Sequence, residues 1–330
     1  MIRWLFVLIV LLVLGTVAAF GGWLYWFTHT PISLPATPFE FSIKHGSSLR
    51  STARQISASG LPLVAWQFEL MARALRQDRD LKAGNYELTE PVTPLELLTK
   101  LRVGDALQSE ITFIEGHTFS QMRRTLTAHG GLKQDSAGLG EEAILKLIGA
   151  NESNPEGLFF PDTYVFSGGI SDIAVLKRAY QSMQSHLAKA WDTRAPKLPY
   201  AKPYEALIMA SIVEKETGKA DERPRIAAVF VNRLKRGMKL QTDPTVIYGM
   251  GDRYTGNIHK RDLTTDTPYN TYTRGGLPPT PIAMPGMASI DATLRPAATD
   301  DLYFVAKGDG SHYFSKSLDE HNRAVDIYQR

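Results

Sequence analysis

Pro203-Tyr204-Glu205-Ala206-Leu207-Ile208-Met209-Ala210-Ser211-Ile212-Val213-Glu214-Lys215-Glu216-Thr217-Gly218 organises the reading of the whole chain. A proline opens it at a position where a helix has no amide partner to lose, and Gly218 stands where a helix stops. About fourteen residues between them therefore form a helix. Met209, Ile212, Val213 and Glu216 recur at i, i+3, i+4 and i+7, so Glu216 continues an apolar stripe toward the core. Glu214 lies roughly 200° around the helix, on a face shared with Leu207, Ala210 and Ser211. A carboxylate at a helix C-terminus meets the negative end of the macrodipole, and burial adds desolvation. Both raise its pKa, as a general acid requires. Exposed glutamates paired with Lys215, Lys219 or Arg223 would be the ordinary alternative.

Downstream, Val229-Phe230-Val231-Asn232-Arg233-Leu234 lies on a second helix ended by Gly237. Then come Leu240-Gln241-Thr242-Asp243-Pro244-Thr245, Tyr269-Asn270-Thr271-Tyr272 and Gly276-Leu277-Pro278-Pro279-Thr280-Pro281-Ile282. The last is too rich in proline for a helix or a central strand. Residues 237–300 are rich in Gly, Pro, Thr, Asp and Tyr, and loop-rich stretches of that length usually line binding sites. Amides, hydroxyls and tyrosine rings on irregular backbone suit a neutral, polyhydroxylated polymer. Tyr269 and Tyr272 fit loop packing as well as ligand contact, and Asp243 before Pro244 also reads as a turn or cap residue.

Upstream, residues 172–191 form an amphipathic helix followed by a basic, proline-bearing loop. Phe39–Ile43 alternates like a strand. A turn at Gly46 leads into a helix carrying Leu49, Ala53 and Ile56. A helix near 63–75, a short strand at 83–88 and a helix from Thr93-Pro94 to Gly104 follow. Ser42–Gly60 can be laid on Thr112–Gly130 without a gap, pairing Gly46 with Gly116, Arg54 with Arg124 and Gly60 with Gly130. The pairing reads as one strand–turn–helix unit used twice, with chance similarity between two amphipathic helices after a Gly turn as the alternative. The expected class is α+β.

The first residues set the compartment. No charge interrupts Trp4–Phe27, long enough to cross a bilayer, with Trp4 at one end and Trp23, Tyr25 and Trp26 at the other. A cleavable signal peptide usually has a shorter apolar region. Arg3 precedes the span, which puts the N-terminus in the cytoplasm and the body outside. The expected organisation is a tip (1–3), an anchor (4–27), a proline-rich stalk (28–38), a small α/β module (39–107), a second α/β segment read as a diverged repeat (108–198) and a core carrying the glutamate helix (199–330).

Composition narrows the chemistry further. The 330 residues are 43% hydrophobic and 22% charged, which excludes wholesale disorder. A net charge of +3 from 37 basic and 34 acidic residues argues against a general nucleic-acid binder. Cysteine is absent, so thiol nucleophiles, disulfides and cysteine-ligated zinc are excluded. The eight histidines are scattered without metal-ligand spacing, so neither metal nor cofactor is expected.

Taken in order, Ala210–Thr217, Leu240–Thr245, Tyr269–Tyr272, Gly276–Pro279 and the upstream Glu156-Gly157-Leu158-Phe159-Phe160-Pro161-Asp162-Thr163-Tyr164 closely resemble the YceG-like endolytic murein transglycosylases. The resemblance implies a LysM-like module over residues 39–107, a mixed α+β catalytic domain in the periplasm and a single-pass anchor in the inner membrane. It implies cleavage of the β-1,4 bond between N-acetylmuramic acid and N-acetylglucosamine within glycan strands, leaving 1,6-anhydromuramyl ends and limiting strand growth. Ordinary glycosidases use two carboxylates; a lytic transglycosylase uses one, as acid and then as base. Related enzymes carry that glutamate immediately before Ser, and Glu216 precedes Thr217. Glu216 is therefore the expected catalytic residue, with Glu214 second. Gln241, Asn270, Tyr272, Tyr269 and Thr217 are the expected substrate-binding residues. Implied partners are peptidoglycan strands, cell-wall synthases and division or elongation proteins. Two other classes remain: a muramidase-type hydrolase with a second carboxylate, Asp243 or Asp262, and a non-catalytic wall-binding scaffold.

Overall fold

The computed structural model describes residues 2–44, 46–104 and 108–329, and the chain is mixed α+β. Met1 of the expected tip, residues 105–107 at the expected 107/108 boundary, and Arg330 lie outside the described residues. The chain divides into two units: Met1–Glu110 with Gly131–Lys133 and Val165–Ile170, and the remainder.

The first unit opens with α1 (Ile2–His29), a helix long and apolar enough over Phe6–His29 to cross a membrane. β1 (Phe39–Ile43) then pairs antiparallel with β2 (Gly84–Leu88), Phe39 opposite Leu88 and Ile43 opposite Gly84. Strict alternation sends Phe39, Phe41 and Ile43 inward, where Phe41 stacks on Tyr86 at 5.3 Å. Between these strands run α2 (Leu49–Ala58), capped by the Ser48 hydroxyl, and α3 (Ala65–Ala74). α4 (Pro94–Val103) follows. It starts with a Thr93/Glu96 capping box and Pro94 in its first turn, and it ends at Gly104, whose φ of +85° favours glycine. Ile56, Phe68, Met71, Leu97, Leu98 and Leu101 are fully buried between them.

Phe27, at the end of α1, and Ile32 belong to the same core. Ile32 also donates its backbone N–H to the Val92 carbonyl at 2.8 Å. The proline-bearing stretch 28–38 is thus tied to the module at Ile32. An apolar side chain there removes more surface from water when packed than when extended.

β3 (Gln108–Thr112) and β4 (Thr163–Ser167) form a second two-stranded sheet, with α5 (Phe119–Ala128) and α6 (Glu141–Ile148) between them in sequence and α7 (Asp172–Asp192) after. The order strand–helix–helix–strand–helix therefore occurs twice. α2 and α5 have the same length, and their bounds lie 70 residues apart. Gly46 and Gly116 both turn the chain with φ of +75°.

The second unit is built around α8 (Pro203–Glu216). Residues 206–213 are buried without interruption, because α7, α9 (Arg223–Lys235), α10 (Asp243–Met250) and α12 (Met287–Leu294) pack around them. The single apolar stripe expected from spacing is replaced by burial on every side, which a helix apolar all round requires. A short α11 (Lys260–Thr264) sits in the loop-rich stretch. The hairpin β5 (Tyr303–Ala306) and β6 (His312–Ser315), with α13 (Leu318–Tyr328), closes the chain.

Candidate active site

Glu216 is the last residue of α8, and Thr217 leaves the helix in extended backbone. Glu216 is half-buried. Desolvation is the largest influence and pushes its carboxyl up from 4.5 to about 7. The charge of Asp243 pushes the same way, whereas a hydrogen bond from Thr242 and the positive charge of Arg233 pull it down. The Thr242 hydroxyl, at the N-cap of α10, donates to Glu216 Oε1. With Oε1 engaged as an acceptor, Oε2 is the oxygen left to carry the proton. Thr242 is itself fixed, since its N–H donates to Thr271 Oγ1 at 3.1 Å and its carbonyl accepts from Thr245 Oγ1 at 2.7 Å.

Arg233 of α9 braces the opposite wall. It is 8% exposed. Its Nε donates to the Leu302 carbonyl at 2.7 Å and its Nη1 to the Leu240 carbonyl at 2.9 Å. The guanidinium lies 5.0 Å over the Tyr303 ring. Nη1 also reaches Gln241 Oε1 at 3.3 Å. Gln241 has a φ of +52°, a region that costs a side-chain-bearing residue about 1–3 kcal/mol. The hydrogen bond from its N–H to the Thr271 carbonyl at 3.2 Å holds that turn.

These groups open on a cavity of about 430 Å³ that Glu216 shares with Gln241, Asp243 and Tyr272. The volume suits a ligand of several rings. Tyr272 donates its hydroxyl to Asp243 Oδ1 at 2.6 Å. The far wall is supplied by the C-terminal hairpin and α13, through Tyr303, His312, Leu318 and His321. No local sequence signal marked that wall. Thr242 and Arg233 lay inside stretches already noted, but their roles depend on tertiary partners.

The other expected residues lie elsewhere. Glu214 accepts the Gly286 N–H at 3.0 Å, at the N-cap of α12, and faces Arg223 at 3.7 Å with its side chain 6% exposed. That is a buried, paired carboxylate holding two elements together. The Glu115 side chain packs directly against Gly286, in the space a Cβ would take. Thr217 is buried, and its hydroxyl accepts from the Lys219 N–H at 3.0 Å. Asn270 is 1% exposed. Its Nδ2 donates to the carbonyls of Asp262, Leu263 and Thr265, and its Oδ1 accepts from the Tyr272 N–H. Asn270 therefore builds the loop that presents Tyr272, and with Asp262 it lines a separate cavity of about 260 Å³. A buried amide inside irregular backbone satisfies the carbonyls that no helix or strand pairs.

Tyr269 belongs to another cluster. Its ring packs edge-on to Tyr248 at 4.8 Å, and its hydroxyl bonds Thr280 at 2.9 Å. Tyr248 donates to Glu156 Oε2 at 3.0 Å, while Oε1 accepts the Phe119 N–H at the start of α5. Burial pushes the Glu156 carboxyl to about 7 as well, but both of its oxygens are engaged inside the protein. Among the described residues, no group of three or more His, Cys, Asp or Glu side chains is arranged to hold a metal ion.

An α+β scaffold thus presents, at a ligand-sized cavity, a carboxyl raised toward neutrality, an arrangement able to give and take a proton. The model of the YceG-like family matches residues 41–327 of this chain. The chain belongs to that family. It is 31% identical over 309 residues to the endolytic murein transglycosylase of Bacillus subtilis, covering 88% of this chain and 85% of the relative. It is 29% identical to the endolytic murein transglycosylase of Streptococcus pneumoniae strain D39, covering 86% of this chain and 57% of that longer relative. The crystal structure of a yceG-like protein from Listeria monocytogenes matches with a TM-score of 0.55 at 30% identity, over 87% of this chain and 98% of the other.

Proposed function

We propose that the protein is a lytic transglycosylase of peptidoglycan, cutting within glycan strands with Glu216 as its one acid/base residue. The observation that carries this reading is the Glu216 carboxyl: held near 7 and opening on the 430 Å³ cavity. Kinship with enzymes named endolytic murein transglycosylase supplies the substrate class.

Protonated at Oε2, Glu216 delivers its proton to the glycosidic oxygen as the bond from the muramic acid C1 breaks. The substrate's acetamido oxygen stabilises the electron-poor C1. The Glu216 carboxylate, stabilised for that interval by Thr242 and the Arg233 charge, then takes the proton of the 6-hydroxyl while O6 closes on C1. The products are a free N-acetylglucosamine 4-hydroxyl and a 1,6-anhydromuramyl end, and Glu216 is again protonated. A carboxyl near neutrality suits both halves of the cycle.

A hydrolase is the second reading, because Asp243 shares the cavity and its charge acts on Glu216. Asp262 lines the other cavity and supports it less. In the preferred reading Asp243 orients Tyr272 instead. Mass analysis of products from purified glycan strands tests all readings: anhydro ends support the transglycosylase, reducing ends the hydrolase, and intact strands a wall-binding scaffold.

The same reading makes α1 a membrane anchor with the N-terminus cytoplasmic and the body periplasmic. It makes residues 39–107 a LysM-like, glycan-contacting module, with 108–198 as its diverged repeat. Cell-wall synthases and division or elongation proteins are the partners it implies.

A further inference from the structure

We propose that Trp66 and Leu70, on one face of α3, sit in the lipid–water interface of the bilayer that α1 crosses, on the side of the protein body. The inference rests on the reading of α1 as a membrane span and extends it to the small module.

The height of Trp66 follows from α1. Trp4 and Trp23 are nineteen residues apart, or about 29 Å at 1.5 Å per helical residue. That matches the hydrocarbon thickness of about 30 Å. Tryptophan rings favour the two boundaries of that layer, so Trp23 marks the boundary nearer the body. The Trp66 ring lies 6.4 Å from the Trp23 ring and within 6° of parallel to it. Whatever depth Trp23 takes, Trp66 shares it to within one ring spacing.

The coupling between α1 and the module is firm. Phe27 and Thr28, in the last turns of α1, are 8% and 5% exposed in the core of the first unit, and Ile32 bridges to Val92 just beyond. The module therefore cannot swing away from the membrane on a loose tether. What it turns outward at that height is apolar: Trp66 is 60% exposed, and Leu70, one helical turn on, is 37% exposed. Val64, the N-cap of α3, is 48% exposed. Large apolar side chains gathered beside a span are stabilised by headgroup and acyl contact in a way they are not by water.

The chain contains no cysteine, so single labels can be introduced directly. The full-length protein is reconstituted in vesicles of phosphatidylethanolamine and phosphatidylglycerol. It carries a nitroxide at one cysteine: Trp66→Cys, Leu70→Cys with Trp66 kept, Val17→Cys as the lipid reference, or Asp300→Cys as the water reference. Collision with oxygen, which concentrates in lipid, is compared with collision with a water-soluble nickel chelate. The expected result is that positions 66 and 70 shift from the Asp300 profile toward the Val17 profile. Lipid contact at either of the two sites supports the proposal. Water-like profiles at both, with Val17 in lipid, overturn it while leaving the anchor intact. A water-like profile at Val17 removes the span, and this inference with it.

Discussion

In the proposed mechanism Glu216 carries the chemistry, and its protonation is set by burial and three neighbours. Desolvation and Asp243 raise its carboxyl to about 7, while Thr242 and Arg233 pull down. As the acid of the free enzyme, it should give kcat/KM an alkaline limb with a midpoint near 7. Thr242→Val removes a bond that favours the carboxylate, so that limb should move to higher pH, a shift visible in the rate profile of the variant. Asp243→Asn removes a raising influence and should move it to lower pH while the products keep anhydro ends. The last outcome also separates transglycosylase from hydrolase, since loss of a base required to activate water would abolish turnover. Helical spacing, and the family resemblance at Glu216-Thr217, marked Glu216 in the sequence as the candidate. Thr242 and Arg233 were not marked, because a partner 26 residues away or on another helix leaves no periodic trace. Asn270 and Tyr269 show the converse: their intramolecular bonds, to the loop carbonyls and to Thr280, depend on tertiary placement that a polar loop motif does not reveal.

Among the elements, boundaries were the most legible feature. Pro203 and Gly218 bracketed α8, Thr93-Pro94 and Gly104 bracketed α4, and the echo at Gly46 and Gly116 marked α2 and α5, all through backbone chemistry local to a few residues. How the elements pack was not legible. Residues 301–329 form a wall of the site, yet their sequence looks like an ordinary hairpin and surface helix. Two substitutions test that packing. Gly157 has φ of +78°, and a Cβ there would overlap the Pro281 ring. Gly157→Ala should therefore destabilise by about 1–3 kcal/mol, read as a lower urea midpoint. Arg233→Lys keeps the charge but loses the fork that joins Leu302, Leu240 and Gln241. A loss of about 1–3 kcal/mol is expected, again in the urea midpoint, with a raised KM from a loosened Gln241 turn.

For the whole molecule, two buried carboxyls near 7 make stability depend on pH. Glu216 and Glu156 are each held above their ordinary 4.5 by burial. The stability they contribute as neutral groups is complete below about 4.5 and is lost as pH rises through about 7. The melting temperature of the parent should accordingly fall between about pH 4.5 and pH 7 and level off above that. Glu216→Gln, uncharged throughout, should melt higher than the parent at pH 8, by about 2–4 °C for each kcal/mol recovered. An acid that costs stability where it is ionised is the expected signature of a functional group held in an apolar setting. The most direct measurement is the rate at which purified glycan strands acquire anhydromuramyl ends with the full-length parent and with Glu216→Gln, the fold of both checked by melting. The account predicts that the folded variant is slower by about a thousandfold. A folded variant that forms those ends at the parent rate would contradict it.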